Sequence, residues 1–418
     1  MDINFHYFAV KSLAVRAGFS PAEAQTLAEY SQLVDDYNRT GTALFKDVPE
    51  FARHLAKKSG SYWRFHCVTT GFSSALDMAE LIRPSRQRHI CIPFHFIPPQ
   101  ALNAPVKDEA AWRTEPETLE KDTVLCGLLR KAQMRYQDDP AARQNLIRLA
   151  LLLHIFADTY AHQRFSGYGG WWNHGAVLKE HSHTGKNERL FSAGMEHRGH
   201  GAIEGAHPHL SIFVGHMSFG HAPDKSGLCF TAVQKSSPKS ALDLKYSRDN
   251  TEIFLQASRV ILNFLRACRG LPPIEDTAWR PVCDALREGF LTQETDATLL
   301  AAHWRKYFPD VTYGYSLGKV LKRSLRLSHL LAGTPNKADN GKAGVPLTDD
   351  AATDSAVEET SLEQMFSSLQ PASTGQRPLY GTVAEDAVIT AVGEDFFWFN
   401  VFAKEVRDVV NGEETPLE

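Results

Sequence analysis

Apolar residues are densest at Leu149-Ala150-Leu151-Leu152-Leu153-His154-Ile155-Phe156-Ala157-Asp158-Thr159-Tyr160-Ala161-His162. A helix apolar nearly all round is one buried at the centre of a domain, and Asp139-Pro140 marks its approach. Ahead of it, residues 2–19 have a helical pattern. Ser20-Pro21-Ala22-Glu23 combines an N-cap, a first-turn proline and a capping-box acid, predicting a helix through Val34 that ends in Asp35-Asp36. Shorter helical patterns cover 48–58 and 73–82, the second with Ser73 as its N-cap, and a polar one covers 110–138. Ile90 to Pro99 reads as an extended apolar stretch that its prolines confine to an edge or an irregular buried segment, with His95 on a pocket floor. Amphipathic helices follow at 250–269, 279–289 and 293–307, and a basic one runs from Leu317 to Leu331. Strand signals are sparse. The expectation is an all-α fold with a single large helical domain over 1–332. A polar, small-residue linker over 333–376 is expected to be mobile, and an aromatic helical segment over 377–418 to dock.

Composition narrows this picture. With 418 residues, 43% of them hydrophobic, the chain can bury a large core. A net charge of −4 weighs against a broadly basic nucleic-acid binder. Residues 1–6 have neither the basic nor the apolar region of a secretory signal, and no apolar run reaches the ~18–20 residues of a membrane span. A cytoplasmic protein is expected, exported only by a route without a cleaved leader, with Met1 retained ahead of Asp2. The six cysteines are scattered and read as reduced thiols. The basic helix suggests peripheral contact with an anionic membrane, or simply a solvated face.

The chemistry is expected where the polar residues break the apolar pattern. His154, Asp158 and His162 recur every fourth residue and so form one stripe. A buried carboxylate needs a partner: a metal ion, or a His-Asp-His hydrogen-bond ladder without one. The two histidines sit about 12 Å apart along the helix axis, too far to share one ion at about 2 Å bond lengths. That spacing suits two ions flanking Asp158, the arrangement used to hydrolyse phosphate esters. Asp2 and His6 lie four apart. Asp35 and Asp36 oppose the helix dipole, at up to about 1 kcal/mol each, unless a cation meets them. His66 stands between apolar residues, as either a core histidine or a ligand. Eleven of the eighteen histidines lie between His154 and His221. Most of those in the polar stretch 174–210 read as exposed, whereas His216 and His221 sit where glycines permit close backbone approach. Trp171-Trp172 reads as a substrate-lining loop or a structural aromatic one.

In chain order these residues are His6, Asp35 or Asp36, His66, His154 with Asp158, His162, and His216. That order resembles the zinc-dependent phospholipase C and S1/P1 nuclease superfamily over about residues 1–230. The Asp2-x-x-Phe5-His6 segment and the run from Gly215-His216 through Gly220-His221 to Pro223-Asp224 look like a bacterial branch of that group. The resemblance implies an all-helical fold holding two or three zinc ions. It places Asp2 in the role of the family's N-terminal ligand and Asp158 as the shared one. The late His-x-x-x-Glu pair of the family is absent, since Gly220 follows His216 by four, and His221 or Asp224 would substitute. The implied chemistry is attack of a metal-activated water on a phosphodiester, with Asp35 or Asp36 as general base. Net acidity and the paired tryptophans favour a phospholipid substrate, with a nuclease of the same fold as the alternative. A metal-stabilised binding or toxin-type protein without turnover is the contrasting class.

Overall fold

The N-terminal segment is helical as expected. Asp2 starts it: its carboxylate accepts from the Asn4 backbone N–H at 3.1 Å and the Asn4 amide at 3.2 Å. A π-helical turn, Asn4–Ala9, leads into α1, Val10–Arg16. Helix α2, Pro21–Asp36, begins in the predicted capping box: Glu23 N donates to Ser20 Oγ at 3.3 Å and Ser20 N to Glu23 Oε2 at 2.7 Å. Strands β1 (Thr42–Phe45), β2 (Ala56–Ser59) and β3 (Tyr62–His66) follow. Next come α3, Val124–Asp138, capped by the Thr123 hydroxyl, and the central helix α4, Arg143–Ala161. Strands β4 (Gly175–Ser182), β5 (Leu228–Lys235) and β6 (Leu242–Asp249) precede α5, Asn250–Cys268, whose N-terminus Asp249 caps. Helices α6 (Asp276–Phe290), α7 (Ala297–Trp304) and α8 (Glu394–Asn411) complete the named elements. This computed structural model describes residues 1–37, 42–71, 83–105, 109–182, 189–190, 214–237, 239–292, 294–316, 320, 330–331, 388–389 and 393–413.

The expected all-α fold is overturned. Among the described residues helices and two β-sheets both occur, so the fold is mixed. Its sheets have antiparallel cores β2–β3–β1 and β4–β5–β6, to which two-residue pairings are added at the edges. The signal was period-two alternation in short, polar-rich runs. In β5 the residues from Phe230 to Lys235 alternate between buried and half-buried, the mark of a strand packed on one face. Ile90–Pro99 is likewise not extended: a π-helical turn, Gln87–Cys91, and one α-turn, Ile92–Phe94, precede His95. Within the predicted helix 48–58, only Glu50–Leu55 forms a 3₁₀ turn, and it runs into β2. The expected helix 73–82, most of 174–210, the linker 333–376 and nearly all of the basic helix 317–331 lie outside the described residues.

The chain divides into two units, one of residues 1–38, 70–315 and 402–418, the other of 39–69 and 316–401. In the first, α4 is the core. Every residue from Asn145 to Ala161 is buried, among α2, α3 and α5. Each fully buried Leu, Ile or Phe contributes about 1.5–3 kcal/mol, so the rotation of α4, and with it the direction of its polar stripe, is fixed by packing on all sides. The C-terminal turns of α8 add a buried ion pair between Arg148 and Glu405, with the Arg148 guanidinium 4.0 Å from the Phe402 ring. In the second unit, Phe45 of β1 and Phe65 of β3 pack on Phe396 and Phe397, with ring centroids 5.2–5.7 Å apart. Asn400 accepts from the Val68 N–H at 2.7 Å. Among the described residues no helix is long and apolar enough to cross a membrane.

Candidate metal centre

Four separate stretches of the first unit meet the stripe of α4. The π-helical turn brings His6, which is fully buried and stacked on His154 at 3.8 Å. The end of α2 brings Asp35. Thr70 and Gly71 brace that end: Thr70 Oγ1 donates to Val34 O at 2.8 Å, and a Cβ on Gly71 would overlap the Asp35 carbonyl. The turn after Ile92–Phe94 brings His95. The Val214–Asp224 loop brings His216 and Asp224. There Gly215 adopts φ +56°, where side chains are strained, and a Cβ on it would run into the Phe96 ring.

Around Asp158, which is 1% exposed, the contacts converge. Its Oδ1 lies 3.1 Å from His6 Nε2, and its Oδ2 lies 3.2 Å from His95 Nδ1 and 3.3 Å from His154 Nε2. Asp35 faces the same atoms, 3.6 Å from His154 Nε2, 3.8 Å from His95 Nδ1 and 3.9 Å from His6 Nε2. A second group lies beyond. Asp224 is 2.9 Å from His162 Nε2 through Oδ1 and 3.1 Å from His216 Nε2 through Oδ2. The amino group of Met1 sits between the groups, bonded to Asp158 and 3.4 Å from Asp224.

The far side of each ring decides the protonation pattern. His154 Nδ1 lies 3.0 Å from Ser31 O, His95 Nε2 2.7 Å from Thr70 O, His162 Nδ1 2.5 Å from His95 O and His216 Nδ1 2.7 Å from Gly220 O. A carbonyl oxygen only accepts, so the nitrogen against it carries the hydrogen. In a neutral ring the opposite nitrogen is then bare. All four bare nitrogens face carboxylate oxygens, and His154 Nε2 and His95 Nδ1 also face each other at 3.5 Å. Lone pairs pointed at lone pairs in a buried site repel, so a proton or a metal ion must lie at each junction. Orientation of the ligating ring by an outer N–H bond to a carbonyl is the usual support of a metal-binding histidine. Among the described residues, three His/Asp sets have ligand atoms mutually within 4.8 Å: His6-Asp35-His154, His95-His154-Asp158 and His162-His216-Asp224.

Without an ion, charge is distributed as follows. Burial pushes the Asp35 carboxyl up, to about 6, against the pull of His154 and His95. Burial would raise Asp158 and Asp224 too. The Met1 amine with His162, His154 and His6 outweighs it at Asp158, as do His216 and the amine at Asp224, so both lie well below the ordinary carboxylate range. Burial opposes charge on the amine, but Asp158, Asp224 and Asp35 prevail and hold it up at about 11. Burial also holds the His6 ring well below the usual imidazole range.

Of the residues expected from sequence, His6, Asp35, His154, Asp158, His162 and His216 come together. Four do not. His66 is exposed on β3 of the second unit, where Phe65 points inward. His221 is exposed too. Asp2 is occupied in holding backbone: its carboxylate takes Asn4 and the Ser226 N–H at 3.3 Å, and its own N–H donates to Asp224 O at 3.1 Å. Asp36 is turned onto Tyr315 OH and, at 3.3 Å, Gln32 Nε2. The sequence expectation for His95 was a pocket floor, yet it stands where His66 was expected. Asp224 fills the place of the missing late carboxylate.

Fold and site together define a mixed α/β protein whose central helix anchors a buried His/Asp cluster able to hold metal ions. The chain belongs to DUF6765, a family of unknown function whose model matches residues 1–411. No curated protein and no solved structure matches it.

Proposed function

We propose that the chain is a metal-dependent phosphodiester hydrolase that binds two or three divalent ions, zinc foremost, through His6, Asp35, His95, His154 and Asp158 on one side and His162, His216 and Asp224 on the other. One observation carries the reading: four imidazoles each give one N–H to a backbone carbonyl and turn the bare nitrogen onto shared carboxylates. Nitrogen and carboxylate donors without thiolate suit zinc and similar borderline ions. Ions held there would activate a water and offset the charge that develops on a phosphoryl oxygen. Asp35 is the most open member of the first group, with 31% of its side chain exposed against 0–9% for its partners. It is therefore the carboxylate that meets an incoming water and takes its proton. Phospholipid is the preferred substrate and nucleic acid the alternative.

The Met1 amino group supports a second reading, a metal-free polar core, because it already supplies a cation to Asp158 and Asp224. One experiment separates the two: metal analysis of the purified full-length chain, followed by assay on a chromogenic phosphodiester, phospholipid vesicles and single-stranded DNA. Two or more equivalents of tightly bound metal, with turnover lost on chelation and regained on Zn²⁺, supports the hydrolase. Metal without turnover on any of the three points to the non-catalytic class, and absence of bound metal ends the metal reading.

A further inference from the structure

The Asp224 loop holds only one short 3₁₀ turn, Met217–Phe219, and Asp224 lies beyond it, yet its carboxylate must face two histidines from different segments. The neighbouring β6–α5 junction supplies the support. Asn250, fully buried, donates from Nδ2 to Ala222 O and to Lys225 O, each at 2.7 Å. Those carbonyls flank Asp224 on both sides. The Asn250 Oδ1 accepts from Arg248 Nε at 2.7 Å, which fixes the orientation of the amide. Arg248 in turn reaches Tyr160 O and Pro223 O with Nη2, each at 3.4 Å. Tyr160 lies two residues before His162 in α4, and Pro223 directly precedes Asp224. One guanidinium therefore ties the end of the helix that carries one ligand to the loop that carries another. Thr251 Oγ1 adds a bond to Ser226 O at 3.1 Å.

Arg248 is 8% exposed, and its guanidinium donates to the Asn250 amide oxygen and to two backbone carbonyls. Burying a guanidinium on carbonyls is costly, and an apolar residue would fill the same space beside Phe230, whose ring lies 5.9 Å away. What the arginine provides is a fixed separation between two backbone segments. We propose that Arg248 and Asn250 are positioning residues that preassemble the His162–His216–Asp224 group as a metal site of its own. That site loads separately from the one around Asp35, His95 and His154. The inference rests on the metal reading of the cluster and extends it.

The test uses full-length protein, stripped with a chelator and titrated with Co²⁺, whose visible bands report on each coordination sphere. Asp224→Asn identifies the band and the binding phase of the second group. Asn250→Asp keeps size and shape but cannot donate to Ala222 and Lys225. It is expected to weaken that same phase by about 10- to 100-fold, the usual cost of losing an outer partner, and to leave the other phase as in the wild type. Arg248→Met is expected to do the same, and Arg248→Lys, which keeps a donor, to recover part of the loss. The proposal is overturned if Asn250→Asp leaves every phase unchanged or weakens all of them equally. A wild type that takes up no Co²⁺ refutes the metal reading itself, whereas a wild type that loads normally beside variants that load identically refutes only the positioning role.

Discussion

Asp158 meets more of the cluster than any other side chain, lying within 3.3 Å of Met1, His6, His95 and His154 while 1% exposed. Asp158→Asn keeps the shape and removes the charge, so the facing nitrogens lose their common counter-ion. The expected result is an ion affinity lower by more than about 100-fold, because outer partners alone cost 10- to 100-fold, and no measurable turnover. Metal analysis and phosphodiester assay check both, with His66→Ala as a variant that changes neither. Asp35 carries a pH signature in the ion-free protein. Its carboxyl is held up at about 6 by burial, above the ordinary 3.8, so between those values the native state binds more protons than the unfolded one. Its contribution is fully present below about pH 4 and is lost as pH rises through 6. Thermal unfolding of chelated protein should therefore show stability falling across that window, with a shallower fall in Asp35→Asn. Sequence separated these residues unevenly. His154, Asp158 and His162 were legible because they break an otherwise apolar helix at a fixed spacing. His66, flanked in sequence by Phe65 and Cys67, resembles a core histidine, although at the end of β3 it faces outward. The prolines around His95 read as extended chain, not as the turn that aims it.

Capping chemistry and burial made helices easy to read, and α2 begins and ends within two residues of expectation. Strands were missed where one face is polar and the runs are short: β6, Leu-Asp-Leu-Lys-Tyr-Ser-Arg-Asp, alternates cleanly, but few of its residues are buried. The end of α2 is the element whose placement matters most to the site, since one residue faces the cluster and the next faces Tyr315. Gly71 lies against the Asp35 carbonyl, so Gly71→Ala must push the helix end or the 70–71 segment aside. A loss of about 1–3 kcal/mol, the usual cost of overpacking, is expected in denaturant unfolding, together with weaker ion binding in the Asp35 group. Ser20→Ala, at the other end of α2, should cost about 1 kcal/mol and leave ion affinity intact. That contrast separates helix stability from helix placement.

For the whole molecule, candidate ligands drawn from the N-terminus, α2, the His95 turn, α4 and the Asp224 loop would make ion binding a cross-link of the first unit. Only the folded state assembles them, so ions should stabilise by mass action, by about 4 kcal/mol at a thousandfold excess over the dissociation constant. Chelation is expected to lower the unfolding temperature of wild type markedly and of Asp158→Asn hardly at all, a difference read by calorimetry. The division into a core unit and a second unit built from separated segments was not legible, because the segments that join across the chain carry no common motif. The Met1 ammonium stands against three carboxylates, the buried Asp158 and the partly exposed Asp35 and Asp224. With neutral imidazoles that inventory leaves two negative charges, in a chain whose formal charge is itself −4. Two divalent ions would turn the balance to two positive charges, so loading reverses the sign of the field at the mouth of the site. An anionic substrate would be repelled by the empty protein and drawn in by the loaded one. Its association rate should fall steeply with added salt, as electrostatic steering requires.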